Sequence, residues 1–188
     1  MKSDESASLS IEDFSLLCKT ITQMFSNELA LKLIKLPKAI AGGTTTINLS
    51  DERSRFILNN NNDPGYEFLF EITSNRKITF KISFHNQENN VKEGLIRIDY
   101  KGGHKNPESI TDFVPENVRK YVGYCFVNEP HVHLYVEGFK DLAWAIPLTD
   151  YDFPVLDIKN TDDFGAAINA FSKEINIITP FNIQNAIL

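Results

Sequence analysis

The chain has 188 residues, 42% of them hydrophobic and 23% charged, which suits one soluble globular domain with a sizeable core. Its formal net charge of −6 argues against strong non-specific affinity for nucleic acid, which needs clustered cations. No apolar run approaches the roughly 18 residues of a membrane span, and Met1-Lys2-Ser3-Asp4-Glu5-Ser6 lacks the apolar core of a signal peptide, so a cytoplasmic protein without membrane contact is expected.

The charge is uneven. Lys32, Lys35 and Lys38 fall in one segment, and Lys92, Arg97, Lys101, Lys105, Arg119 and Lys120 in another, while Asp141, Asp150, Asp152, Asp157, Asp162 and Asp163 make the later third acidic. A local basic patch could meet nucleic acid, and the acidic third or the apolar tail a protein partner. Cys18 and Cys125 have no close spacing and lie among apolar residues, which predicts two buried free thiols.

Residues 1–10 are small and polar and read as a disordered end. Ser10 is a predicted N-cap, and Ile11, Phe14, Leu17, Cys18, Ile21, Met24 and Phe25 recur at helical spacing, predicting an amphipathic helix over 11–27. Leu29 to Lys38 fits strand or helix, and the β-branched run at Thr44 to Leu49 fits a short strand. Ser50 to Leu58 admits a helical turn or a continuation of the sheet. Asn59 to Gly65 is a turn signal. A hairpin follows: Tyr66, Phe68, Phe70 and Ile72 alternate with Glu67, Leu69 and Glu71, and beyond Ser74-Asn75-Arg76 the set Ile78, Phe80, Ile82 and Phe84 alternates with polar residues, with His85 in the loop after it.

Leu95 to Tyr100 is the next predicted strand, with Arg97 and Asp99 opposite Ile96 and Ile98. The loop Lys101-Gly102-Gly103-His104-Lys105-Asn106-Pro107 has glycines that permit positive φ and close backbone approach. Residues 108–128 read as irregular with one helical turn near Pro115 to Tyr121. In Pro130-His131-Val132-His133-Leu134-Tyr135-Val136, a period of 2 places His131, His133 and Tyr135 on one strand face and the valines and Leu134 on the core face. Glu137 to Asp141 reverses the chain into Leu142 to Ile146. Thr161-Asp162-Asp163 opens a second helix whose apolar face is Phe164, Ala167, Ile168, Phe171 and Ile175. The sum is an α+β fold: one domain over 11–178 and a tail over 179–188, with an antiparallel sheet of about five to seven strands covered mainly on one face by an N-terminal and a C-terminal helix.

Three of the four histidines, His104, His131 and His133, fall between Leu95 and Pro147. Imidazoles at i and i+2 on a strand leave the same face, so His131 and His133 can bind one divalent metal such as zinc, with His104, Glu137 or Asp99 as third ligand. Without metal, His131, His133 and His104 can serve as general acid and base on a phosphodiester, with Arg97, Lys105, Asn106 and Tyr135 holding the substrate. A third reading is structural: the histidines, with Tyr135 and Asn106, hydrogen-bond the loop at 102–107 to the sheet. Cys125 as nucleophile is a poor option, because Tyr124 and Phe126 provide no activating charge.

Ile96-Arg97-Ile98-Asp99, His104-x-Asn106-Pro107 and Pro130-His131-x-His133-x-Tyr135-x-Glu137-Gly138, followed by Asp141 and Trp144-Ala145, resemble a family of small bacterial and phage proteins classed as a domain of unknown function. The resemblance spans roughly residues 66–176; the chain has Glu108-Ser109 where the family often has Asp-Gly, and a longer loop to residue 129. It implies no activity. Some toxin-like ribonucleases also carry H-x-H near the C-terminus, an analogy independent of fold. The expectation is a toxin-like or phage-defence-related protein acting on phosphodiester or nucleotide substrates through the histidine cluster; the alternative is a non-catalytic interaction module in which the cluster is structural.

Overall fold

The computed structural model describes residues 25–75 and 80–184. The expected disordered end, Cys18, the expected helix up to residue 24, residues 76–79 of the expected hairpin with Ile78, and the last residues of the tail lie outside the described residues. Helix α1 (Asn27–Lys35) settles the helix-or-strand ambiguity in favour of helix. The Ser26 side chain accepts from Leu29 N at 3.1 Å, Glu28 lies in the first turn, and Lys32 and Lys35 lie in the last, so both ends of the helix dipole are complemented.

Strands β1 (Ala39–Ile40) and β2 (Thr46–Asn48) follow, and then the long meander β3 (Arg53–Asn59), β4 (Glu67–Asn75), β5 (Lys81–Glu88) and β6 (Glu93–Tyr100). The segment at 50–58 continues the sheet. Strand β7 (Gly103–Lys105), the single-turn helix α2 (Glu116–Arg119) and strand β8 (Cys125–Val127) form the connection to β9 (His131–Leu134) and β10 (Trp144–Pro147). Helix α3 (Thr161–Glu174) and β11 (Asn182–Gln184) complete the chain. The main sheet has seven antiparallel strands in the order β1-β3-β4-β5-β6-β9-β10, while β11 pairs with β2 in parallel and β7 with β8 as an antiparallel ribbon. The α+β architecture is as expected. The tail docks on the body: β11 pairs with β2, and Phe181 meets Phe56 with ring centroids 4.8 Å apart.

Alternation along the strands gives the sheet two unlike faces. Phe68, Phe70, Ile72, Ile82, Phe84, Ile98 and Val132 are buried on one face. There α3, capped by Asn160 rather than Thr161, inserts Phe171 at 5.5 Å from both Phe70 and Phe84. The opposite face is polar. One cross-strand row runs Arg55, Glu71, His85, Arg97, His133, and the next runs Arg53, Thr73, Ser83, Asp99, His131. His85 is thus a half-buried strand residue beside Arg97, not a loop residue, because β5 extends to Glu88. Cys125 is exposed, not buried: in a short ribbon strand its side chain alternates away from buried Phe126. Among the described residues no helix is long and apolar enough to cross a membrane.

Candidate functional site

The polar face is open over β3 to β5 and roofed at the β6–β9–β10 end by the β7–β8 ribbon. His104 and Phe126 are direct partners in that ribbon and point down at the sheet. Phe126 stacks on His131 with centroids 4.6 Å apart, and His104 meets His133 edge-on at 4.4 Å. At Gly102 the ribbon lies in van der Waals reach of the site: a Cβ there would stand 3.4 Å from the Asp99 Cβ and 3.5 Å from the His131 Cε1. The positive φ of this turn falls on Lys101 (55°) and not on either glycine.

Beneath the roof, Arg97 and Asp99 on β6 face His133 and His131 on β9, a two-by-two block on one sheet face. The His131 Nδ1 lies 2.6 Å from Glu129 O and the His133 Nδ1 lies 2.8 Å from Leu142 O. A carbonyl only accepts, so both Nδ1 atoms carry the proton and both Nε2 atoms present a lone pair. The Leu142 carbonyl is aimed by the β9–β10 turn, where Asp141 (φ 58°) and Leu142 (φ 53°) both adopt left-handed backbone. Arg97 Nη2 donates to His133 Nε2 at 2.8 Å and its Nε donates to Asp99 Oδ2 at 3.0 Å. Asp99 Oδ2 is 3.1 Å from His133 Nε2 and 3.7 Å from His131 Nε2.

Both imidazoles are fully buried, and burial is the first cause that pushes each down, His133 to about 4 with the Arg97 charge adding to it. They are neutral at pH 7. For Asp99, burial alone would raise the carboxyl, but contacts with His133, the Arg97 charge and a hydrogen bond with Ser83 outweigh it and hold the group well below the usual carboxylate range. His131 Nε2 is buried and has no hydrogen-bond partner. Asp99 borders a groove of about 340 Å³ that is also lined by Lys81, Ser83, Gly102 and Gly103. Arg97 borders a second groove of about 190 Å³, with His85, Lys92 and Asp141.

His131, His133, His104 and Arg97 therefore come together as predicted, but the other predicted substrate-binding residues do not. Tyr135 lies just past the end of β9 and its ring turns to the helix side of the sheet, where its hydroxyl donates to Phe25 O at 2.6 Å. Lys105 alternates with His104 along β7, so it points outward and pairs with Glu108. Asn106 is a clamp: its Nδ2 donates to Tyr121 O (2.9 Å) and Ala145 O (2.7 Å), and its Oδ1 accepts from Ala145 N (2.8 Å). His104 Nε2 lies 3.1 Å from that same Oδ1 and 2.9 Å from Ala143 O, two acceptors, so this nitrogen carries a proton and cannot ligate a metal. Glu137 is outside the block. Its backbone N–H donates to Asn27 Oδ1.

Of the three residues named as alternative third ligands, strand register sets Asp99 directly opposite His131. Ser83 gave no signal of its own and is found only through its pairing with Asp99. Several residues of the basic segments face carboxylates, among them Lys35 with Glu174 and Lys120 with Asp150. Lys38 is buried, its Nζ donating to Ile34 O, Leu36 O and Ile175 O.

No curated protein and no solved structure matches the chain. The family match begins before the recognisable motif region and takes in α1 and the first strands: residues 25–177 match a family of unknown function, DUF6978, and the chain belongs to that family.

Proposed function

We propose that the protein is a hydrolase of phosphodiester or nucleotide substrates whose centre is Arg97, Asp99, His131 and His133. The observation that supports this most is the bare, buried His131 Nε2, which lies 3.7 Å from a carboxylate at the edge of a groove lined by Lys81 and Ser83. In this reading His131 Nε2 takes the proton of the attacking hydroxyl, and Asp99 stabilises the imidazolium that forms. Arg97 spends two of its N–H groups on Asp99 and His133, which leaves others for phosphoryl oxygens. Such an activity in the bacterial cytoplasm, on nucleotides or on nucleic acid reached through Lys81 and Arg97, would arrest growth, as a toxin-like or phage-defence role requires.

The test is cleavage of bis-p-nitrophenyl phosphate and of single-stranded RNA by the purified chain, beside growth on induced expression. Cleavage and arrest that disappear in His131→Ala, with the melting temperature kept, support the reading. A wild-type chain that cleaves neither substrate and leaves growth unchanged refutes it. One observation favours the rival, a non-catalytic interaction module: His104 and Asn106 bind the roof to the segment just before β10 and to β10 itself, through hydrogen bonds to Ala143 and Ala145. Under that rival, His131→Ala lowers the melting temperature and changes nothing else.

A further inference from the structure

Among the described residues, Asp99, His131 and His133 bring one donor atom each to within 4.8 Å of one another. Register accounts for it. His131 and His133 are at i and i+2, and Asp99 is directly opposite His131, so all three side chains leave one face of the sheet. Each imidazole has its Nδ1 proton held by a backbone carbonyl, which turns Nε2 inward and fixes the tautomer, as outer hydrogen bonds do for metal-bound histidines. Buried Nε2 of His131 has no donor, and it faces a carboxylate oxygen that can only accept. Two acceptors aimed at each other repel, and a proton or a metal cation between them relieves the repulsion.

We propose that Asp99 Oδ2, His131 Nε2 and His133 Nε2 bind one divalent first-row transition cation, and that the Arg97 guanidinium competes with it for two of the three ligands. Two imidazoles and a carboxylate without thiolate suit zinc, cobalt or iron(II), and offer too few oxygens for calcium or magnesium. Metal–ligand bonds of about 2.0–2.2 Å put tetrahedral donor atoms roughly 3.3–3.6 Å apart. The separations from Asp99 Oδ2, 3.1 and 3.7 Å, bracket that range. Of the three ligands only Asp99 borders the larger groove, beside Ser83 and Gly102, so a cation would enter and leave on its side.

Arg97 Nη2 on His133 Nε2 and Nε on Asp99 Oδ2 hold the lone pairs that the cation needs. The Arg97 side chain is 32% exposed and borders the smaller groove with Asp141, so it can swing to that carboxylate when the metal enters. The exchange keeps the charge of the block compensated in both states. This inference uses the side chains of the phosphodiester reading but replaces its chemistry, because a metal-bound His131 Nε2 has no lone pair left to take a proton from a hydroxyl.

The test titrates the chelator-treated full chain with zinc by calorimetry and with cobalt(II) by visible absorption. One ion should bind per chain, with cobalt d–d bands of nitrogen and oxygen ligation and a rise in melting temperature. Asp99→Asn and His131→Ala should weaken binding by roughly a hundredfold, while Arg97→Met should tighten it by roughly tenfold. The inference is overturned if neither ion binds at micromolar concentrations, or if binding survives Asp99→Asn and His131→Ala undiminished. Weakened or unchanged binding in Arg97→Met, which needs no ligand replaced, overturns the competition. Stoichiometric zinc binding without phosphodiester cleavage keeps this inference and refutes the hydrolase; cleavage undiminished by chelator, with no metal bound, does the reverse.

Discussion

Asn106→Ala should remove the clamp that holds the roof over the histidines. Strand β10 is the edge of the seven-stranded sheet, and it pairs only with β9. The N–H and C=O of Ala145 point away from β9, and the Asn106 side chain takes both, as another strand would. Truncation leaves these two fully buried backbone groups without partners, while the Tyr121 carbonyl keeps the Tyr124 N–H at 3.1 Å. At about 1–3 kcal/mol per orphaned buried group, the loss for the two centres on about 4 kcal/mol. For a domain of this size that lowers the melting temperature by roughly 8–16 °C. Urea denaturation followed by circular dichroism measures the first figure and a thermal scan the second. Asn106→Asp keeps the shape but sets a carboxylate oxygen against two carbonyls, so it should be at least as damaging at neutral pH and recover partly in acid, where protonation restores one donor. A change within about 0.5 kcal/mol for Asn106→Ala, the range of ordinary surface substitutions, would refute the clamp.

Phe70→Ala should cost about 3–5 kcal/mol by opening a cavity beneath α3, where Phe70 is fully buried against Phe171; a loss under about 1 kcal/mol by urea titration would mean that the helix is not held by this ring. Burial, with Lys35 adding to it, lowers the Lys38 ammonium to about 7. The folded chain therefore releases this proton below the pH at which the unfolded chain does, and the group's contribution to stability rises with pH between about 7 and 10. Lys38→Met should flatten that rise, and parallel stability curves for the two proteins would contradict the assignment. For Glu71, burial works upward, but hydrogen bonds from Arg55 and Arg53 and their charges outweigh it and hold the carboxyl below the usual range. Its contribution is present above about pH 4.3 and is lost as the pH falls through the folded-state value. Glu71→Gln should make the acid limb of stability against pH shallower, and an unchanged limb would show that the pair with Arg53 and Arg55 does not couple to folding.

What the sequence determined by itself was periodicity and therefore faces. The alternation in 66–72 and in 82–84, the helical spacing of Phe164, Ala167, Ile168 and Phe171, and the common face of His131 and His133 all depend on backbone geometry within a few residues, and each is found in the structure. Asp99 could be placed opposite Ile98 for the same reason. That it stands across from His131 depended on β9 choosing β6 as its neighbour, a pairing across more than thirty residues that no local pattern encodes. The same holds for Asn106, whose donors and acceptor fit an edge strand thirty-nine positions away. It holds too for Tyr135, which leaves the histidine face because its hydroxyl finds the carbonyl of Phe25. Local spacing decides which way a side chain points, and only the closed sheet and its roof decide what it meets there.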